Sequence, residues 1–452
     1  MWTRSITEPV SPEDYLETAK ALMRFIDTRK EAGPEGVFWS LRDASEGRKE
    51  YYDEICMYAG ASGILCYLLA LWDVTKEEAY LEEARKAGAY VCYRWEHDRS
   101  LKRNFSRYAF SSGWSGAGYA LTRLYEAAGD ERYRECVFSI AEQILKDAQP
   151  GPDGAGYVWS TYPGIVGNAG TILFLLYAAE TYGCDRWKRF AAEAGKAILA
   201  SGRDMGQGRR YYSGVDPRYF GGGADYADPN FPMGTAGIGY TLLRLYEASG
   251  DETFLEAVKG IPEYMESVAA SAGRGRLLPH ALPDRPNLFY LGYCHGPAGT
   301  CRFYYKLWKV TGDPEYARRM DRLAEGLAFA GAPELRSPGY WNTYNLCCGT
   351  AGILNLYLGL WAERGDGESL AMARRCGRVL LGGAYRVQTA DGPAAEVPFA
   401  LDRVDPRRIS SPVGLFDGAA GIGAALLQLY LAEKGDFRTA RLIDDPFPER
   451  RG

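Results

Sequence analysis

The chain has 452 residues, 53 of them basic and 58 acidic, for a formal charge of −5. That balance excludes a protein that grips nucleic acid non-specifically through a basic excess. With 46% hydrophobic and 25% charged residues the composition is that of a globular protein with a large core, not of a disordered chain. The longest apolar runs, such as Ile64 to Trp72, are roughly half the ~20 residues that cross a bilayer. Met1 to Pro9 lack the apolar core of a secretory signal. The expectation is therefore a cytoplasmic protein without a membrane span, whose ten cysteines are reduced thiols or metal ligands.

Taken in chain order, Pro12 to Arg29 read as an amphipathic helix. A Gly-x-x-Gly turn then recurs with first glycines at Gly60, Gly113, Gly167, Gly234, Gly296, Gly349 and Gly418, at intervals of 53, 54, 67, 62, 53 and 69 residues. Self-similarity at such a period marks a repeat architecture. After each turn comes a segment that is apolar on nearly every face, for example Tyr119 to Ala127 or Ile353 to Trp361, which predicts a helix buried all round. A Gly-Asp break follows at Gly129, Gly250, Gly312 and Gly365, where glycine ends one helix and aspartate caps the next. Charged, amphipathic segments such as Glu252 to Ala269 and Pro314 to Ala328 then form outer helices. A linear solenoid would expose an edge of each apolar helix, so the pattern predicts an all-α fold, a closed α/α toroid of seven inner and seven outer helices. The chain is expected to be one such domain over residues 1–452. Its function should lie at the end where the glycine turns begin the inner helices and backbone N–H groups point to the cavity. Longer intervals place insertions at Arg203 to Pro232, Ala272 to Leu291 and Leu381 to Pro412, either a wall or lid for the substrate or plain surface loops.

Before the fifth and sixth turns the sequence changes character, to Cys294-His295-Gly296 and Cys347-Cys348-Gly349. Cys294 and Cys347 are 53 residues apart, one basic repeat, so they occupy equivalent positions on neighbouring inner helices and can converge with Cys348. Three thiolates that leave one position open describe a catalytic zinc site, and helix amino termini favour thiolates. Buried cysteines also serve as small hydrophobes, the reading given to Cys56, Cys66, Cys92, Cys136, Cys184, Cys301 and Cys376. A vicinal redox disulfide between Cys347 and Cys348 is a further alternative.

On these motifs the chain resembles the lanthionine synthetase cyclase family, the LanC-like proteins, over all seven repeats. The resemblance implies one Zn2+ held by Cys294, Cys347 and Cys348. It also implies activation of a cysteine thiol of a precursor peptide for addition to dehydroalanine or dehydrobutyrine, giving a thioether; eukaryotic relatives act on glutathione. Most members carry histidine where this chain has Cys348, which makes the site more negative. The histidine that members carry before the fourth turn is Met233 here, and an arginine four residues before the first zinc cysteine is Tyr290.

Only His97, His280 and His295 exist. His295 follows a ligand directly and is the candidate general acid for protonating the enolate, with a supporting role toward the metal as its alternative. His280 lies in an insertion that can reach the site, and His97 reads as a surface residue. Asp225 and Asp228 precede the fourth turn and can exchange a proton or simply shape the turn. The expected partners are a precursor peptide, dehydrated by a separate dehydratase, or glutathione. The competing functions are a zinc-containing protein that binds peptide or glutathione without cyclising it, and an α/α-toroid carbohydrate-active enzyme, which the 33 tyrosines and 10 tryptophans permit but which leaves the cysteine triplet unexplained.

Overall fold

The first glycine of each repeated turn is the residue at which an inner helix begins. A computed structural model describes residues 8–41, 52–102, 106–213, 226–283, 285–400, 402–437 and 442–450. Within them the inner helices are α2 (Ala61–Thr75), α4 (Trp114–Ala128), α6 (Asn168–Tyr182), α8 (Thr235–Ser249), α11 (Pro297–Thr311), α13 (Thr350–Arg364) and α15 (Ala419–Ala432). The outer helices are α1 (Pro12–Ile26), α3 (Glu78–His97), α5 (Glu131–Asp147), α7 (Asp185–Ala200), the pair α9 (Glu252–Val258) and α10 (Ile261–Val268), α12 (Pro314–Phe329) and α14 (Gly367–Gly383). Each inner helix packs on the next and α15 packs on α2, so the ring closes. The first helix, α1, covers the last inner helix, α15. The fold is an all-α toroid, with short two-stranded ladders in its connections. No helix among the described residues is long and apolar enough to cross a membrane.

The punctuation works as its chemistry dictates. Gly129, Gly183, Gly250, Gly312 and Gly365 end inner helices in the left-handed conformation. The carboxylates of Asp130, Asp251, Asp313 and Asp366 then accept backbone N–H groups at the starts of outer helices, a cap worth about 1 kcal/mol each. Glycine at the fourth position of the turn is a matter of space, because a Cβ on Gly116 would lie 2.0 Å from the carbonyl oxygen of Phe110.

The segment Glu252 to Ala269 is two helices rather than the one expected. Pro262 cannot donate to a continuing helix. The carbonyl of Gly260 accepts the backbone N–H of Arg210 at 2.8 Å as well as that of Tyr264 at 3.2 Å, so the hairpin of Arg203–Asp204 and Arg210–Tyr211 docks on the break. The insertion after Leu381 also divides. Its first hairpin, Tyr385–Thr389 with Gly392–Glu396, packs against α1 as an outer buttress, and only the second, Phe399–Ala400 with Ile409–Ser410, reaches toward the glycine turns.

Inside the ring the segment 442–450 returns to the inner helices. Asp444 pairs with Arg302 of α11 at 2.9 Å and accepts the hydroxyl of Tyr293, while Phe447 packs on the ring of Tyr305. Arg302 and Asp444 are 4% and 1% exposed at their side chains, so neither charge has water as a fallback. Replacing one member of such a pair strands the other. Arg302→Met is expected to lower unfolding stability by about 3–5 kcal/mol, measured by chemical denaturation, with Arg302→Met/Asp444→Leu recovering much of the loss.

Candidate functional site

The loops that lead into the seven turns are tied to one another. Tyr58 N–H donates to Ser111 O at 2.8 Å, Phe416 N–H to Tyr58 O at 2.9 Å, Cys347 N–H to Phe416 O at 2.9 Å, Cys294 N–H to Cys347 O at 2.9 Å, His295 N–H to Phe231 O at 2.8 Å and Ile165 N–H to Pro232 O at 3.2 Å. The Thr171 hydroxyl closes the remaining link by donating to Tyr108 O at 2.7 Å. This circle fixes the spacing between the fifth and sixth turns, where the cysteines lie.

The Sγ atoms of Cys294, Cys347 and Cys348 all lie within 4.8 Å of one another. Cys294 Sγ is 3.1 Å from Cys348 Sγ, and Cys348 Sγ is 3.7 Å from Cys347 Sγ. These are separate thiols, beyond the ~2.05 Å of a disulfide bond. A tetrahedral metal with sulfur at about 2.3 Å sets its ligands about 3.8 Å apart, so the triplet matches in donor type and, nearly, in spacing. Backbone approach makes this possible: a Cβ on Gly292 would sit 2.5 Å from the carbonyl carbon of Cys348. The Asn345 side chain accepts the N–H of Cys348 at 2.8 Å and donates to Asp417 O at 3.3 Å. Hydrogen bonds from Cys294 and Cys348 hold the Cys347 thiol well below its ordinary range, against burial and with help from Tyr58, and the same contacts push Cys294 up. Elsewhere, chiefly burial pushes Cys56, with the Asp53 and Asp417 charges adding to it, and Cys66 up to about 12, which marks them as inert.

His295 stands beside the triplet with φ at +55°, a backbone state uncommon outside glycine. Its Nδ1 lies 2.7 Å from Oδ2 of Asp228, and both side chains are buried. The other oxygen of Asp228 accepts the N–H of Asn230 at 2.9 Å, so this carboxylate shapes the fourth turn and faces the imidazole together. Burial pulls the His295 pKa down, but the Asp228 carboxylate outweighs it and leaves the group raised. His280, from the insertion before the fifth turn, stacks on His295 with ring centroids 4.2 Å apart. Burial drives its pKa far down, and the neighbouring His295, Arg285 and Arg403 charges add to this. The pair therefore combines an imidazole whose protonated form the Asp228 carboxylate favours with one whose neutral form burial favours.

Tyr290 meets the His280 ring edge-on at 4.3 Å. Burial, then the Cys348 and Cys294 charges, push its phenol pKa up, so it remains a neutral hydroxyl, held by Arg403. Met233 packs with Val166, Tyr226 and Ala281 and handles no protons. His97 is exposed on α3 and stacks on Tyr93, away from the site, and Asp225 lies outside the described residues. Sequence reasoning paired neither Asp228 with His295 nor His280 with His295, and it missed Arg403 and Tyr58 entirely. The only available signal was the position of all of them in pre-turn loops or insertions at one end of the ring.

The chain's sequence matches the pattern of the family described as lanthionine synthetase C-like protein over residues 11–164 and 53–442. No curated protein matches. Among solved structures it is similar to nisin cyclase, with a TM-score of 0.62 at 13% identity over 91% of this chain and 94% of that one. Weaker likenesses include the GH76A α-1,6-mannanase of Salegentibacter sp. HEL1_6, with a TM-score of 0.44 at 14% identity over 93% and 99% of the two chains. Cellobiose 2-epimerase from Bacillus thermoamylovorans B4167 has a TM-score of 0.44 at 11% identity over 70% and 87%. With seven closed repeats, a cysteine triplet at the fifth and sixth turns and a family pattern matched along most of its length, the chain belongs to the lanthionine synthetase C-like family.

Proposed function

We propose that this protein adds a cysteine thiol to dehydroalanine or dehydrobutyrine in a peptide, forming a thioether, and that Cys294, Cys347 and Cys348 hold one Zn2+ for this reaction. The observation that supports it most is the convergence of three Sγ atoms within 4.8 Å, an all-sulfur donor set that suits zinc. A bound zinc ion would supply a lowered thiol pKa, so that the incoming thiol is deprotonated at neutral pH. The chain's own residues carry the rest. His295 holds a proton beside the triplet, oriented by Asp228, and delivers it to the α-carbon after carbon–sulfur bond formation. His280 and Tyr290 wall the imidazole from water. The substrate is a precursor peptide, dehydrated by a separate enzyme, acted on in the cytoplasm by a single domain spanning 1–452. A second reading, binding of peptide or glutathione without cyclisation, draws support from Met233, which fills a proton-handling position with an apolar side chain.

Five outcomes test this. Protein purified without added zinc should carry about one equivalent per chain, retained less as pH falls because the thiols reprotonate, and Cys347→Ala should carry far less; undiminished metal would remove the assignment. Cys294→Ala should abolish thiol addition to a dehydrated peptide. His295→Asn should keep the metal and slow addition by roughly 10²-fold or more, whereas an unchanged rate would exclude His295. No addition by the parent to any dehydrated acceptor would favour the binding reading. Limited proteolysis should cut first at exposed hairpin tips such as Met205 or Asp391, and release of a folded half would show separate domains.

A further inference from the structure

The shortest sulfur contact in the triplet runs between two turns, not between the adjacent residues. Cys294 Sγ lies 3.1 Å from Cys348 Sγ, against 3.7 Å from Cys348 Sγ to Cys347 Sγ. A disulfide bond is ~2.05 Å long, so the cross-turn pair is about 1 Å from bonding. The two backbones are already together: a Cβ on Gly292 would sit 2.5 Å from the carbonyl carbon of Cys348, and Cys294 N–H donates to Cys347 O at 2.9 Å. The adjacent pair is opposed by its own backbone, because a bond between neighbours closes a small ring through the peptide that joins them and twists it. Cys347 N–H is held by Phe416 O at 2.9 Å, Cys348 N–H by the Asn345 side chain at 2.8 Å, and Cys348 O by Thr343 N–H at 3.3 Å, so that twist would break the turn. Access also singles out one sulfur. Cys294 and Cys347 are buried, whereas Cys348 is half-buried, and a small solute reaches it first. Cys92 of α3 and Cys136 of α5 also lie against each other, but both are buried in the core.

A thiol that solvent reaches, with a second thiol poised beside it, is the arrangement of a reversible oxidation site. We propose that a peroxide joins Cys294 to Cys348 across the fifth and sixth turns, and that the protein loses its metal until the bond is reduced. This rests on the reading of the triplet as the metal site. The Cys348 thiolate attacks one peroxide oxygen, the O–O bond breaks, hydroxide leaves, and the sulfur becomes a sulfenic acid. The Cys294 thiol then attacks that sulfur, and its proton leaves with the sulfenic hydroxyl as water. Two thiols give up two electrons and one peroxide takes them. Cys347 alone remains, and one sulfur does not hold a tetrahedral zinc ion. A dithiol reductant reverses the step by exchange. Thiol addition thereby stops under the conditions that would oxidise the substrate's own thiol.

The test reads covalent bonds and metal, not catalysis. The full chain, zinc-loaded and also stripped with a chelator, is treated with hydrogen peroxide, quenched in acid, alkylated and mapped by mass spectrometry, while a coloured chelator follows released zinc. Both forms should lose two of their ten thiols to one Cys294–Cys348 bond. The loaded form should release about one zinc per chain in step with that bond, and dithiothreitol should restore both thiols and the capacity for zinc. Cys347→Ser should keep the cross-turn bond and Cys348→Ser should lose it, in chains whose circular dichroism matches the parent. A Cys347–Cys348 bond, sulfinic acid at Cys348 without a bond, or a bond that forms only in the stripped chain overturns the proposal. A chain that binds zinc and forms no cross-turn bond leaves the metal centre standing and removes this inference. A cross-turn bond in a chain that never takes up zinc upholds the oxidation site and removes the metal centre.

Discussion

The circle of hydrogen bonds that joins one pre-turn loop to the next is the constraint on which the site depends. Seven helices beginning at glycine would place seven turns at one end of the ring, but not in register. The backbone bonds Cys294 N–H to Cys347 O and Cys347 N–H to Phe416 O set the register where it matters. They use backbone groups just ahead of the helix caps Gly296 and Gly349, while the first helical N–H groups of α13 bond back to Thr343 and Tyr344 of their own loop. Burial of the inner helices on all sides then makes the circle rigid: to shift one turn, a helix packed between two neighbours must shift too.

Around the triplet the protein builds its electrostatics from separate elements. The fourth turn contributes Asp228, the fifth His295 and Tyr290, one insertion His280 and Arg285, and another Arg403. Asp228 and His295 lie 2.7 Å apart in a buried setting, where an unpaired charge would be expensive. His280 adds a ring and no charge, because burial and the nearby cations keep it neutral.

Much of this was legible in the sequence because it rests on local chemistry. Glycine at the start of an inner helix, aspartate after its end and an apolar segment between them are each dictated within a few residues, and the repeat spacing of Cys294 and Cys347 carries their convergence. What was not legible depends on contacts between distant segments. The break before α10 follows from docking of a hairpin some fifty residues earlier in the chain, although Pro262 was a local sign of it. The partnership of Asp228 and His295 requires the fourth and fifth turns to be neighbours at a known rotation, and the left-handed backbone of His295 aims its ring. The division of the last insertion into a buttress on α1 and a hairpin over the site leaves no trace in composition at all.

The central claim is that three cysteines from two adjacent turns form one metal centre with a position left for substrate. X-ray absorption at the zinc edge on the purified full-length protein addresses it directly. The account predicts three sulfur scatterers at about 2.3 Å and one lighter oxygen or nitrogen atom, the latter replaced by a fourth sulfur when a thiol is added. A closed shell of four protein ligands that ignores added thiol, or a shell without sulfur, would contradict it.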